Sequence, residues 1–60
     1  MFKLGDKVMF WNYGYMKYIK GVITDVTKQW YRIKPYDSEY EYARHESEIH
    51  RDKEQSNEEN

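Results

Sequence analysis

The chain of 60 residues contains no cysteine, which excludes both a disulfide staple and a thiolate metal site. A chain this short forms one domain, and such small domains bury only about 60% of the surface that the unfolded chain exposes. No apolar run approaches the roughly 20 residues of a membrane helix, and the first residues lack the apolar core of a signal peptide. We therefore expect a soluble protein of the cytoplasm.

Glycine and proline are scarce, with three and one residues, but aromatic residues are plentiful. There are seven Tyr, two Trp and two Phe. A core this small cannot enclose all these rings, so we expect several at the surface, where exposed aromatic side chains mark interaction sites.

Charge is unevenly distributed along the chain. Residues 1–36 carry seven Lys or Arg and two Asp, a net +5, whereas residues 37–60 carry three Lys or Arg and nine Asp or Glu, a net −6. The acidic half is interpreted as a solubilising region; the alternative is that the basic half forms a face for an anionic partner. Because residues 52–60 offer nothing to bury, we expect a domain over 1–51 and a disordered acidic tail over 52–60.

The alternation of apolar and polar residues predicts five short strands, over 7–11, 18–26, 30–34, 39–43 and 49–51. Gly21 is expected to bend the second strand, and Pro35 to end the third. Residues 44–48 form a short polar step in which we expect a single 3₁₀ turn. This pattern predicts an all-β barrel. A helix over 41–53 is the rival interpretation, but it has few apolar residues to bury.

Four short motifs occur in order over residues 3–50, and together they resemble the SH3-like barrels of the KOW and Tudor type. The motifs are Lys3-Leu4-Gly5-Asp6-Lys7-Val8, Gly21-Val22-Ile23, Tyr31-Arg32-Ile33 and Glu46-Ser47-Glu48-Ile49. The resemblance implies a five-stranded barrel with a 3₁₀ turn before the last strand. It also implies binding of RNA, DNA, modified tails or proteins, and such barrels occur as small stand-alone bacterial and phage proteins that dock on larger machines.

An aromatic loop follows the first predicted strand and is the first candidate site. Tyr and Trp offer large contact area at a low cost in conformational entropy, which suits a protein-binding surface. The alternative is that Trp11 and Tyr18 fold back into the core and close the barrel. The predicted protein-binding residues are Trp11, Tyr13, Tyr15, Lys17 and Tyr18.

A basic and aromatic strand face is the second candidate, and it favours nucleic acid. Rings stack on bases while cations contact phosphates, although an isoelectric point near 6.1 is low for a dedicated nucleic-acid domain. The alternative is a solvated strand face. The residues of this set are Lys17, Lys20, Lys28, Trp30, Arg32 and Lys34.

Two further sets favour structural roles. The rings of Tyr31, Tyr36, Tyr40 and Tyr42, with Glu39 and Glu41, resemble a cage for a methylated cation, but cross-strand packing explains them better. His45, Glu46, Glu48 and His50 have metal-ligating side chains at a spacing that fits neither one helix face nor one strand face. We therefore expect no metal, no cofactor and no catalytic site.

The sequence thus predicts a non-enzymatic SH3-like binding module. The expected partner is a larger protein, on which the chain acts as a small regulator or inhibitor, as a monomer or weak homodimer. An RNA- or DNA-binding module is the alternative.

Overall fold

The computed structural model describes residues 1–52, which form an antiparallel sheet of five strands curled into a half-barrel. The spatial order is β4-β3-β2-β1-β5. A 3₁₀ turn, Glu46–Glu48, connects the two edge strands. The all-β class, the five strands and the 3₁₀ turn agree with the sequence-based prediction. The strands are β1 Lys7–Asn12, β2 Lys17–Thr27, β3 Trp30–Pro35, β4 Tyr42–His45 and β5 Ile49–Arg51.

The core lies on the inner, concave face of the sheet. Alternation places Val8 and Phe10 of β1 on this face, together with Tyr31 and Ile33 of β3. Six apolar side chains are buried there, and Phe2, Ile19 and Tyr42 pack around them. The buried residues are Val8, Phe10, Ile23, Tyr31, Ile33 and Ile49.

Gly21 lets β3 approach β2 closely. A Cβ at this buried position would overlap the carbonyl oxygen of Lys34 and lie 2.9 Å from the Cα of Pro35. Gly21 pairs with Pro35 at the last register position shared by β2 and β3. The glycine therefore sets the spacing of the two central strands where their pairing ends.

The pairing of β2 and β3 is irregular at Thr24, three residues beyond the position where we expected the bend. The register skips from Ile23 to Asp25, so Thr24 is an extra residue in β2. Its hydroxyl donates to the carbonyl oxygen of Arg32 at 3.2 Å, which satisfies an acceptor beside the bulge. In the turn that follows, Lys28 adopts a φ of +57°, a conformation that glycine usually provides.

The fourth strand was predicted too early in the chain. It spans Tyr42–His45 rather than 39–43, and Arg44 and His45 pair with β3 instead of forming the polar step. Residues 36–41 are needed to turn the chain after Pro35. Ser38 donates its N–H to the carbonyl of Pro35 and accepts the N–H of Tyr40 at its hydroxyl. The alternative helix over 41–53 is also not formed in the described residues, since β4, the 3₁₀ turn and β5 occupy 42–51.

The segment before β1 is held by a turn at Asp6. The carboxylate of Asp6 accepts the N–H of Lys3 at 3.0 Å and contacts the guanidinium of Arg51 at 3.3 Å. The hydrogen bond from Lys3 and, next, the interactions with Arg51 lower the pKa of Asp6, although desolvation opposes them. The turn places the ring of Phe2 edge-on to Tyr31.

Both edges of the sheet have backbone groups that are already bonded. Backbone N–H groups alternate in direction along a strand. Because the N–H of Glu46 points to Gln29 beside β3, the N–H of His45 faces the outer edge of β4. The His45 N–H donates to the carboxylate of Glu48 at 2.9 Å. Arg44 Nη1 donates to the carbonyl of Ala43 at 2.8 Å, and the N–H of Ile49 donates to the carbonyl of Glu46. These bonds blunt the two edges against pairing with another strand.

Asp52 extends the ordered fold one residue beyond the expected domain boundary. Its N–H donates to the carbonyl of Lys7 at 3.1 Å, and its side chain is buried, contrary to the expectation that nothing beyond residue 51 is buried. The remainder of the expected tail, 53–60, lies outside the described residues.

We predict that Gly21→Ala destabilises the fold by about 1–3 kcal/mol, because the new methyl group meets backbone atoms that cannot move aside. The matched control is Gly14→Ala, whose Cβ would meet only the side-chain oxygen of Asn12 at 3.2 Å. Thermal unfolding followed by circular dichroism measures both. Equal melting temperatures for the two variants would contradict the role assigned to Gly21.

Candidate interaction surface

Three aromatic residues of the predicted loop site lie together on the outer face of the sheet. Trp11 is paired with Tyr18 across β1 and β2, and their ring centroids are 5.1 Å apart. The ring of Tyr13 lies 6.3 Å from Trp11, and His50 of β5 lies 6.1 Å from Tyr18. All these contacts are edge-to-face. We call Trp11, Tyr13, Tyr18 and His50 the outer aromatic strip.

The outer aromatic strip does not contribute to the core. Tyr13 is 80% exposed and Tyr18 is 48% exposed, while Trp11 is half-buried between them. The alternative that Trp11 and Tyr18 complete the core is therefore wrong. These rings pack on one another and leave a continuous aromatic surface facing solvent.

Tyr15 lies apart from the other predicted aromatic residues, whereas Lys17 also lines a pocket of about 300 Å³ with Tyr18. The loop turns at Asn12, whose buried side chain accepts the N–H of Tyr15 at 2.9 Å, and Met16 adopts a φ of +54°. Tyr15 and Lys17 consequently line a separate pocket of about 200 Å³ with Ile19, Pro35, Asp37, Ser38 and Tyr42. The predicted site is thus divided between two places.

A larger groove of about 760 Å³ borders the outer aromatic strip at β5. The pairing of Met9 with Lys20 and His50 brings these residues side by side. Met9, Ile49, His50, Arg51 and Asp52 were not predicted as binding residues, since only the register of β5 against β1 brings them together. The lining residues are Met9, Tyr18, Lys20, Ile49, His50, Arg51 and Asp52.

The groove contains an ion pair, and Tyr36 lies in a neighbouring pocket of about 300 Å³ that shares Lys20 with it. Lys20 Nζ is 4.0 Å from the buried carboxylate of Asp52. Desolvation raises the pKa of the half-exposed Tyr36, and the negative charge of Asp52 raises it further, whereas Lys20 acts in the opposite direction. The groove therefore combines a mainly apolar lining with the Lys20–Asp52 ion pair and with Arg51, which pairs with Asp6.

The tryptophan and the cations of the basic strand face already contact other groups of the protein. Trp30, Arg32 and Lys34 alternate outward along β3, as predicted. However, Arg32 forms an ion pair with Glu41 at 3.7 Å, and Lys34 Nζ donates to the carbonyl of Pro35. Trp30 packs edge-on against His45 at 5.2 Å. Of the remaining cations in the set, Lys20 pairs with Asp52, Lys28 lies in the β2–β3 turn and Lys17 lies by Tyr15.

The four tyrosines of the predicted cage do not converge. Tyr31 is in the core, whereas Tyr36 follows the end of β3 and is exposed. Only Tyr40 and Tyr42 are in mutual ring contact, at 4.7 Å and edge-to-face. These rings therefore do not form a cage for a methylated cation. The structural role that the sequence favoured for them explains them better.

His45 has a structural role at the start of the 3₁₀ turn. Its Nδ1 accepts the N–H of Ser47 at 3.1 Å, and its own backbone N–H donates to Glu48, which together form a capping box. His50 lies instead against Tyr18 in the outer aromatic strip. Within residues 1–52, no group of three or more His, Cys, Asp or Glu side chains has an arrangement that would hold a metal ion.

Comparisons of the chain with protein-family models, with curated proteins and with solved structures find no match. The resemblance to KOW and Tudor barrels stays a prediction that rests on the four motifs. Among residues 1–52, no helix has the length and hydropathy to cross a bilayer.

We predict that Tyr36 ionises later than a free tyrosine and that Asp52→Asn advances its ionisation by removing a nearby negative charge. A raised tyrosine pKa favours the neutral form of the folded state. Its contribution to stability is therefore present below the ordinary pKa of 10.0 and is lost as pH rises through the folded value. Near-ultraviolet titration of tyrosinate measures the effect.

The late component of this titration should disappear in Tyr36→Phe and persist in Tyr13→Phe, which removes the hydroxyl of an exposed tyrosine of the outer aromatic strip. A late component that survives Tyr36→Phe would contradict the assignment.

Proposed function

We propose that the chain closes into an SH3-like barrel and acts in the cytoplasm as a non-enzymatic module that docks on a larger protein through the outer aromatic strip. The observation that carries the proposal is the edge-to-face array of Trp11 with Tyr13 and Tyr18, which the core does not use. Tyr and Trp in such arrays are the side chains that dominate binding energy in protein interfaces.

The surroundings of the array support a protein partner over nucleic acid. The groove beside it is mainly apolar in its lining, and its Lys20 is compensated by Asp52. A partner side chain that enters the groove would find Met9 and Ile49 beside the exposed ring of Tyr18. An apolar centre with charges at its margin is the usual composition of a protein–protein interface.

A regulatory or inhibitory role follows from this mode of binding. A small domain that docks by a rigid aromatic face changes its partner by covering surface or by holding one conformation of it. The strip is rigid because β1 and β2 hold Trp11 and Tyr18 in register, so little conformational entropy is lost on binding.

The nucleic-acid alternative is supported by one observation, the shared outward direction of Trp30, Arg32 and Lys34 on β3. The ion pair of Arg32 with Glu41 weighs against it, since a phosphate would have to displace a carboxylate. A nucleic-acid complex would also weaken steeply between about 50 and 200 mM salt through loss of counterion release.

The two tryptophans of the outer face provide a matched test. The full chain and its Trp11→Ala and Trp30→Ala variants serve as baits in a lysate of the organism that encodes the chain, with and without nuclease. We expect the same protein to be retained by the wild type and Trp30→Ala, and Trp11→Ala to bind at least tenfold more weakly, as for an interface hot spot of about 2 kcal/mol.

Circular dichroism shows whether each variant retains the fold. Release by nuclease together with loss of binding in Trp30→Ala would replace the proposal with the nucleic-acid alternative. Retention of the protein by a folded Trp11→Ala variant would refute the role of the outer aromatic strip.

A further inference from the structure

The guanidinium of Arg44 lies on aromatic rings at the open side of the half-barrel. The register pairs Arg44 with the buried Tyr31, so its side chain projects to the concave face. Its central carbon is 4.7 Å from the ring centroid of Phe10 and 5.3 Å from that of Tyr42. These cation–π contacts hold a half-buried cation in one place.

Most of the hydrogen-bonding capacity of this guanidinium is unused within residues 1–52. Arg44 Nη1 donates to the carbonyl of Ala43, whereas a guanidinium carries five N–H groups. The other two arginines each have a carboxylate, Arg32 that of Glu41 and Arg51 that of Asp6. No carboxylate of the described residues forms an ion pair with Arg44.

We infer that Arg44 forms an anion-binding site that takes the carboxylate of an acidic side chain on a partner protein. A planar carboxylate matches the two-pronged donor geometry of a guanidinium, and the pair gains strength where water is partly excluded. Because the two aromatic rings already order the Arg44 side chain, binding loses less side-chain conformational entropy than immobilising a free arginine would.

Tyr40 extends the aromatic surface of this site through Tyr42. Its ring is 65% exposed and lies edge-on at 4.7 Å to Tyr42, the ring that Arg44 contacts at 5.3 Å. The methylene groups of a glutamate, or an apolar neighbour in the partner, would pack on this ring. The site therefore favours an acidic residue next to an apolar one.

A protein carboxylate fits the charge of the site better than the phosphates of a nucleic acid. Nucleic-acid surfaces engage successive phosphates with several cations. Arg44 instead lies on the rings of Phe10 and Tyr42, and its single positive charge matches a single carboxylate.

This site is on the opposite face from the outer aromatic strip, so it extends the proposed function without resting on it. Tyr42 and Arg44 project to the concave side, whereas Trp11 and Tyr18 project to the convex side. Either surface can be removed by substitution while the other is retained.

The test is a nuclear magnetic resonance titration of the full ¹⁵N-labelled chain, observing the Nε–Hε signal of Arg44. The probes are two blocked pentapeptides, Gly-Phe-Glu-Glu-Gly and Gly-Phe-Gln-Gln-Gly, which differ only in their carboxylates. We expect the glutamate peptide to shift the Arg44 signal with a dissociation constant on the order of 1 mM, and the glutamine peptide to bind at least tenfold more weakly.

Substitutions separate the site from general charge effects. Arg44→Gln lacks the Nε–Hε signal of Arg44 and is followed at the backbone amide signals of Tyr42 and His45, where it should abolish the difference between the peptides that the wild type shows. Arg32→Gln, which removes a guanidinium already paired with Glu41, should preserve the difference at the Arg44 signal. Trp11→Ala should also leave the Arg44 response intact, whatever the outcome for the outer aromatic strip.

Two results would overturn the inference. The first is an equal response of the wild-type Arg44 signal to both peptides, which needs no variant and is independent of folding losses. The second is a larger shift from inorganic phosphate or a single-stranded oligodeoxynucleotide than from the glutamate peptide, which would assign the site to phosphate.

Discussion

The single core on the concave face is the constraint on which the rest of the structure depends. Six buried side chains fill the space inside the curled sheet, and residues 1–52 form no second layer over its convex face. Six of the eleven aromatic rings are consequently exposed, at Tyr13, Tyr15, Tyr18, Trp30, Tyr36 and Tyr40. Curvature therefore determines which rings stabilise the fold and which remain available for contacts.

Local patterns were sufficient to predict the three central strands. Val8 and Phe10 share one face of β1, and Tyr31 and Ile33 share one face of β3, so the alternation showed which residues lie together. For β3 it also predicted which face is buried. The position of β4 could not be predicted from the local pattern. The tyrosines at 40 and 42 imitate strand alternation, but the turn bonds of Ser38 hold Tyr40 outside the strand.

The candidate surface was predictable only where it is local in sequence. Trp11, Tyr13 and Tyr18 lie on either side of one turn, and the aromatic content of that turn was a sufficient signal. His50 and Asp52 join the surface through the pairing of β5 with β1, about 40 residues away in the chain. Such long-range register has no short-range signal, and the same holds for Arg44 over Phe10.

The hydrogen-bonded edges of the sheet limit the kinds of partner contact that are open to the proposed function. Because Glu48, Arg44 and Glu46 occupy backbone groups at the two margins, main-chain recognition by strand addition is disfavoured there. Under the proposed function, selectivity would then reside in side-chain shape and charge on the two broad faces. Those side chains can be exchanged without altering the backbone ladder, so descendants of this chain could acquire new targets while keeping the same scaffold.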